Sequence, residues 1–582
     1  MSIVDWIVML GTLGFIVAYG TWKTRKNANL QDYLRGGNEM KWTTIGLSVM
    51  ATQASAITFI STPGQAYESG MGFVQNYFGL PIALIIVSAV FIPIYYKLKV
   101  FTAYEYLESR FGVSSRMLAA FLFLVQRGLA AGITIYAPAI ILSSALGWNL
   151  SLTILLIGIL VIIYTVSGGT KAVSLTQKWQ MGVIMSGMFA AFFIIVNELP
   201  DYVSFGDAIS VAGIMGKLDV IDFSLDFDKR YTFWTGITGG TFLALSYFGT
   251  DQSQVQRYLS GSSVYESRMG LMFNAIMKVP MQFFILFVGV MVFVFFQYQE
   301  HPVLFNENAT AKVYQTEYAD DMKSIELDYA EVYSRKKDAL KFVVDNYNNT
   351  NYDSETLDYT IETVKSNEAE SLILRDKAKA LVAKAVPDNT SKDSDYVFLS
   401  FIMNYLPIGL IGLLLAVIFS AAMSSTSGEL NALATTTTID FYKRLNRKEH
   451  SEKHYLIASK VLTAGWGVVA ILFALFAHLV ENLIEAVNIL GSIFYGVILG
   501  IFLIAFFLKK IKGNATFIGA LVAQGIVIIL FFFGQIIGSY LMGHEVKEIG
   551  YLWYNVIGCG LVVLFATMIN PFDKTKKPQS VD

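Results

Sequence analysis

Long apolar stretches separated by short polar connections make up most of this chain. Runs of 18 or more apolar residues are long enough to cross a hydrocarbon layer of ~30 Å as helices. The pattern predicts thirteen spans, near residues 5–21, 44–64, 74–97, 117–146, 150–167, 178–197, 234–256, 269–297, 398–441, 455–478, 483–508, 514–538 and 550–569. Spans 117–146, 269–297 and 398–441 exceed a single crossing, so they must tilt, kink or emerge into water. The first span has no basic n-region and no small-residue cleavage site, and reads as a retained helix rather than a signal peptide. One stretch, 298–397, breaks the apolar pattern. Within it, Asp321–Tyr347 and Asp358–Val386 mix Ala, Leu, Val, Glu and Lys at helical spacing, which predicts a helical hairpin.

Composition agrees. The 582 residues are 54% hydrophobic and only 15% charged, against roughly 25% charged in soluble domains, and mean hydropathy is +0.52. This is an all-α polytopic membrane protein of about thirteen transmembrane helices, with the lipid bilayer as its surroundings. The net charge of −2 offers no basic field for nucleic acid. The lone Cys559 can form no internal disulfide, and the five His make no tight metal-ligand cluster. No paired intramembrane carboxylates are expected. These features argue against an enzyme.

Charge is uneven, and that sets orientation. Alternate short loops hold 25 of the 43 basic residues, among them Lys23, Arg25, Lys26, Arg35, Arg110, Arg116, Lys171, Arg257, Arg447, Lys576 and Lys577. The opposite short loops hold Lys217, Lys229, Arg230 and Lys547. The basic side is expected in the cytoplasm of a cell-membrane protein. The N-terminus then lies outside, the C-terminus inside, and block 298–397 outside. That block carries 20 acidic and 12 basic residues. Ligand capture there is one reading; a solvated insertion is the other.

Three apolar regions carry small polar clusters that an anchor does not need. The second span contains Ser48, Ala51, Gln53, Ala54, Ser55 and Thr58, followed by Pro63-Gly64, which is expected to end the helix. Freed carbonyls at that depth are tolerated only beside protein or a water-filled cavity. The ninth span contains Ala421, Ser424 and Ser425 at i, i+3 and i+4, on one helix face. Together the two segments can offer about five neutral oxygens, a donor set suited to a monovalent hard cation. Ser/Thr packing between helices is the competing reading. The third cluster runs from Ser246-Tyr247 through Asp251-Gln252 to Gln256-Arg257. Two cations, Arg127 and Lys278, sit deep in the fourth and eighth spans. Intramembrane charge is costly, so each points to function or to an internal ion pair.

These clusters resemble the sodium/solute symporter family, in family order and over nearly the whole chain except 298–397. The most specific stretches are Tyr247…Asp251-Gln-x-x-x-Gln-Arg257, Gly168-Gly169-x-x-Ala172-Val173, Ala103-Tyr-Glu105-Tyr-Leu-Glu-x-Arg110-Phe, Tyr136-Ala-Pro-Ala, and the Ser-rich run to Asn431…Ile439-Asp440. The resemblance implies an inverted-repeat (5+5) fold with broken helices. The chain would divide into an extra helix and loop (1–43), the first repeat and start of the second (44–297), the insertion (298–397), the rest of the second repeat (398–512), and peripheral helices with a tail (513–582).

The resemblance also implies a sodium ion held by carbonyls of Ala51, Ala54 and Ala421 and hydroxyls of Ser424 and Ser425. Some members hold a further sodium beside an Asp. Gln177 stands at that position, and Gly428 at a partner hydroxyl, so one sodium per solute is expected. The carboxylate and amide of hexose carriers are missing, with Tyr77 and Ala244 at two of those positions. Remaining pocket candidates are Gln53, Ser55, Thr58, Asn76, Tyr77, Tyr247, Lys278 and Asn488, with Tyr247 as inner gate. Arg127 lies about one turn from an Arg that binds carboxylate in sialic-acid members, and with Lys278 it favours a small anionic or strongly polar solute. The expected activity is sodium-coupled import by alternating access, by a monomer. A sugar or polyol carrier of the same family is the alternative, and a non-transporting sensor a more distant one.

Overall fold

The computed structural model describes residues 1–24, 33–34, 36–347, 354–386, 393–446, 448, 450–477, 483–542 and 547–574. Side chains at 17, 20–24, 36, 56, 144–145, 167–173, 175 and 541–542 are also outside the description. Arg25, Lys26, Arg35, Arg447, Lys576 and Lys577 therefore lie outside the described residues, as do the side chains of Lys23 and Lys171. The described chain is mostly helical and forms no strands among the described residues; an isolated bridge joins Met40 to Gly261. Among the described residues nine helices are long and apolar enough to cross a membrane, and three shorter apolar helices accompany them.

Helix α1 is Ile3–Thr24. The second span is not one helix but two, α2 (Trp42–Gln53) and α3 (Ala56–Ser69). The break falls at Ala54-Ser55, where Ala54 leaves the helical region (φ −88, ψ 70) and Ser55 is extended. It does not fall at Pro63-Gly64, where the sequence placed the helix end. Pro63 lies inside α3. Its backbone is accommodated by a neighbouring glycine, Gly289, where any Cβ would run into the Pro63 carbonyl. In membranes, packing of this kind lets a helix pass through proline.

After a 3-10 stretch, Gly70–Tyr77, the third span runs on through Leu80–Ile86, Val87–Phe91 and Ile92–Leu98. Helix α4 is Val113–Leu146 and α5 is Leu150–Asn197, 48 residues in one helical stretch. A straight helix of that length would measure about 72 Å, more than twice the hydrocarbon thickness. Yet Tyr164 Oη lies 3.2 Å from Thr176 Oγ1. Twelve residues of straight helix would separate their Cα atoms by about 18 Å, beyond the reach of these side chains. The stretch therefore folds back between them, and its two legs correspond to the separate spans expected at 150–167 and 178–197.

The seventh span is likewise interrupted. Helix α6 (Gly240–Gly249) gives way at Thr250-Asp251 to α7 (Gln252–Leu259), whose N-cap is Asp251. Helix α8 is Val264–Tyr298. The expected hairpin is present as α9 (Ala319–Tyr347) and α10 (Ser354–Ala385). The ninth span does not run unbroken from 398. Ser394–Tyr405 ends before Pro407, with Leu406 extended (ψ 146), and α11 (Leu410–Thr436) begins afresh. The residue before a proline is disfavoured in the helical region, and here Leu406 leaves it, which stops the first helix. Helix α11 continues into Thr437–Lys443. Helices α12 (Glu452–Ala474), α13 (Leu483–Phe507), α14 (Gly513–Met542) and α15 (Trp553–Ile569) complete the bundle.

Close approach of α2 and α8 places the central break. A Cβ on Gly46 would meet the Phe273 ring at 2.7 Å, and one on Gly270 would meet Ile45 at 2.6 Å. Small residues facing each other bring helices together by dispersion where no hydrophobic drive acts between them. Helix α11 is buried along nearly its whole length, so its Ser-rich face meets protein and not lipid.

Candidate functional site

The break between α2 and α3 frees backbone oxygens. The last four carbonyls of a helix have no partner within it, and α2 ends at Gln53. Ser425 on α11 faces these carbonyls, its hydroxyl 3.5 Å from Ala51 O and 3.4 Å from Thr52 O. Both lengths are at the limit of a hydrogen bond. The neighbouring Ser424 hydroxyl is buried and has no partner among the described residues. Ala51, Ala54, Ala421, Ser424 and Ser425 are each 3% exposed or less. Carbonyl and hydroxyl oxygens with one orphaned hydroxyl and no carboxylate fit a monovalent cation: they supply ligands without excess charge.

Behind these oxygens lies a compact polar string. Ser48 Oγ donates to Gln177 Oε1 (2.5 Å), and Gln177 Nε2 donates to Thr52 Oγ1 (3.0 Å). Ser48 Oγ also lies 3.2 Å from Ser174 Oγ, which accepts from Arg257 Nη1 at 3.2 Å. Arg257 was counted among loop charges; the structure buries it to 1% exposure. A Cβ at Gly428 would overlap its guanidinium. Arg110 and Arg116, also assigned to loops, are 8% and 7% exposed. Each has inward partners, Leu508 O for Arg110 and Asp440 for Arg116.

Beside the oxygens opens a cavity bordered by Gln53, Ser55, Asn76, Tyr77, Tyr247 and Asn488, and by Arg127 at its floor. Seven of the nine predicted solute-site residues thus meet in one space. Three of them present buried polar atoms with no partner among the described residues: Gln53 Oε1, Asn76 Oδ1 and Asn488 Nδ2. Such atoms are costly unless a ligand or water satisfies them. Thr58 and Lys278 do not border the cavity. Thr58 Oγ1 lies 3.4 Å from Gln53 O. Lys278 is 1% exposed, its Nζ has no hydrogen-bond partner among the described residues, and it sits 5.7 Å from the Tyr77 ring centroid.

The floor is an ion cluster that the sequence did not reveal. Arg127 donates to Asp251 through Nε (3.1 Å) and Nη2, to Glu429 Oε1 through Nη1 (3.0 Å), and to Tyr495 Oη (2.6 Å). Its guanidinium lies 5.3 Å from the Tyr247 ring centroid, and Gln254 holds the Tyr247 hydroxyl at 2.6 Å. The expectation of no paired intramembrane carboxylates is overturned, because Asp251 and Glu429 share one arginine. A signal existed. Glu429 is the one acid within α11, and such residues in a membrane span are functional candidates by default.

The sequence of residues 33–323 and 371–523 matches the model of the sodium:solute symporter family. Sodium-coupled monocarboxylate transporter 1 of Xenopus laevis is 34% identical over 272 residues, 46% of this chain and 42% of that protein. The sodium/sialic acid symporter SiaT of Proteus mirabilis is 25% identical over all of this chain and 97% of its own length. The matches to the monocarboxylate transporters span less than half of those relatives. A substrate-bound, outward-open sodium-coupled sialic acid symporter shares the fold, with a TM-score of 0.73 over 99% of both chains at 23% identity.

Proposed function

Because the chain belongs to the sodium:solute symporter family, we propose that it imports a small organic anion together with one sodium ion by alternating access. The observation that carries this reading is the adjacency of two unsatisfied sets. Neutral oxygens at the α2–α3 break face Ser425, and orphaned atoms of Gln53, Asn76 and Asn488 face the neighbouring cavity. A sodium ion would be held by carbonyls of Ala51, Ala54 and Ala421 and hydroxyls of Ser424 and Ser425. A solute in the cavity would satisfy the amides.

Charge favours an anion. Ser55 borders the cavity and is the N-cap of α3, so the positive end of that helix dipole faces the solute. Lys278 lies behind Tyr77, its Nζ without a hydrogen-bond partner or ion pair among the described residues. Arg127 is not the solute's carboxylate partner in this reading, since Asp251 and Glu429 already occupy its guanidinium. The relatives' solutes, monocarboxylates and sialic acid, carry carboxylates as well.

One sodium follows from the surroundings of Gln177. Its side chain is neutral and bonded to Ser48 and Thr52, and the guanidinium of Arg257 fills the space at Gly428. A second cation there would meet repulsion and no carboxylate. Sodium and solute must tighten each other's binding by the same factor. Tyr247 closes the cavity on the cytoplasmic side, with the N-terminus and hairpin outside the cell and the C-terminus within. A single chain holds the whole cavity, so the monomer suffices.

The test is uptake of labelled carboxylates into proteoliposomes under an inward sodium gradient. One sodium with one monoanion moves no net charge, so an imposed potential should leave uptake unchanged; each uncompensated charge would contribute about 2.3 kcal/mol per 100 mV. Potential-driven uptake of a monoanion would mean more than one sodium. Absence of sodium stimulation for every solute would overturn symport itself.

A further inference from the structure

Apart from the transport cavity, a second space of about 110 Å³ lies where the α9–α10 hairpin meets the end of α3. Three cations border it, each less than one-tenth exposed: Lys217 (8%), Arg375 (5%) and Lys336 (2%). Lys217 donates only to carbonyls, Tyr67 O at 2.9 Å and Glu68 O at 2.7 Å, and lies 4.4 Å from the Phe293 ring centroid. No carboxylate forms an ion pair with it among the described residues. Lys336 pairs with Glu368 at 2.7 Å. Arg375 pairs with Asp393 and donates to the Tyr67 hydroxyl at 3.1 Å.

Counting Lys379, four cations and four carboxylates surround the space, and the excess of cations lies in the buried set alone. Asp393 is deeply buried and Glu368 mostly so, with 1% and 17% of their side chains exposed. Glu68 and Asp376 are 34% and 78% exposed and share Lys379 on the rim. Three buried cations thus face two buried carboxylates. Burial pulls the Lys217 ammonium down to about 8, with Arg375 and Lys336 adding repulsion against the pull of Glu368 and Glu68. An unpaired buried charge costs several kcal/mol unless something compensates it.

We propose that this space binds a small anion, of chloride or short-carboxylate size, held by Lys217, Lys336 and Arg375. No residue bordering it also borders the transport cavity. The anion joins the hairpin to the last turn of α3, whose first turn begins at the α2–α3 break, so its occupancy acts on the helix that leads away from the proposed sodium site. Its source is bulk chloride or the carboxylate of a solute; the chemistry is the same.

The test uses full-length protein in detergent at constant sodium. Bulky gluconate is replaced stepwise by chloride in one series and by acetate in another, and thermal unfolding is followed. A saturable rise of about 2 °C is expected. Lys217→Met should abolish it and Lys217→Arg restore it, with Lys336→Gln as the second variant should Lys217→Met fail to fold. A rise with chloride assigns bulk anion as the source; a rise with acetate alone assigns a solute carboxylate. No saturable rise in either series, or an equal rise in Lys217→Met and Lys336→Gln, overturns the site. Sodium-driven uptake, measured in parallel, reports on transport independently of this shift.

Discussion

Arg127 Nη1 on α4 donates to Glu429 Oε1 on α11 across 3.0 Å. The same guanidinium holds Asp251, the cap of α7, and Tyr495 on α13. One side chain thus fastens four elements beneath Tyr247. Arg127→Met would leave two buried carboxylates without their cation. Breaking a buried pair this way costs about 3–5 kcal/mol, so the variant should lose much of its thermal stability. Glu429→Gln keeps a hydrogen-bond acceptor for Arg127 and should cost about 1 kcal/mol. A double-mutant cycle by thermal unfolding should show coupling above about 1 kcal/mol. Equal stability of the two single variants would contradict the cluster.

Ser424 and Ser425 contribute neutral hydroxyls at the helix break. Their joint change to Ala removes two of five proposed ligands without adding bulk. Sodium-stimulated uptake should vanish while the amount of folded protein stays as in the parent. Unaltered sodium dependence would mean the ion binds elsewhere.

Gly428→Ser tests the guanidinium beside it. The new side chain would run into Arg257, and overpacking of a tight interior costs about 1–3 kcal/mol. Thermal unfolding should fall accordingly, and combining it with Arg257→Ser should recover part of the loss. A Gly428→Ser variant as stable as the parent would show that Arg257 moves aside freely.

His301 gives the hairpin junction a pH dependence. It lies among Phe296, Phe305, Tyr329 and Tyr333, and burial, with Arg375 next, pushes its imidazole down to about 3. The unfolded chain binds this proton near pH 6.5 and the folded chain only near 3. Stability is therefore full above about 6.5 and falls as pH drops toward 3, at up to about 1.4 kcal/mol per pH unit. Between pH 7 and 5, the protection of α9 and α10 amides against hydrogen exchange, taken relative to the intrinsic exchange rate at each pH, should fall. His301→Phe should flatten that response; an unchanged response would assign it to another group.

Much of the architecture was legible from the residues. Hydrocarbon demands about 20 apolar residues per helix, so the spans follow from hydropathy, and polar residues that a lipid anchor does not need marked α2, α6 and α11. Seven of nine solute-site candidates meet in one cavity: Gln53 and Ser55 flank the α2–α3 break, and Arg127 and Asn488 reach the cavity from within α4 and α13. Tertiary structure decided the pairings. Arg127 is 124 residues from Asp251 and 302 from Glu429, and a buried arginine announces only that it needs a partner, not which one. The break lies at Ala54-Ser55 and not at Pro63 because Gly289 of α8 makes room for the proline. Arg257 belongs to the interior because Gly428 leaves space for it. In each case the deciding contact lies far along the chain, and local sequence carries periodicity and charge but not the neighbour that packing supplies.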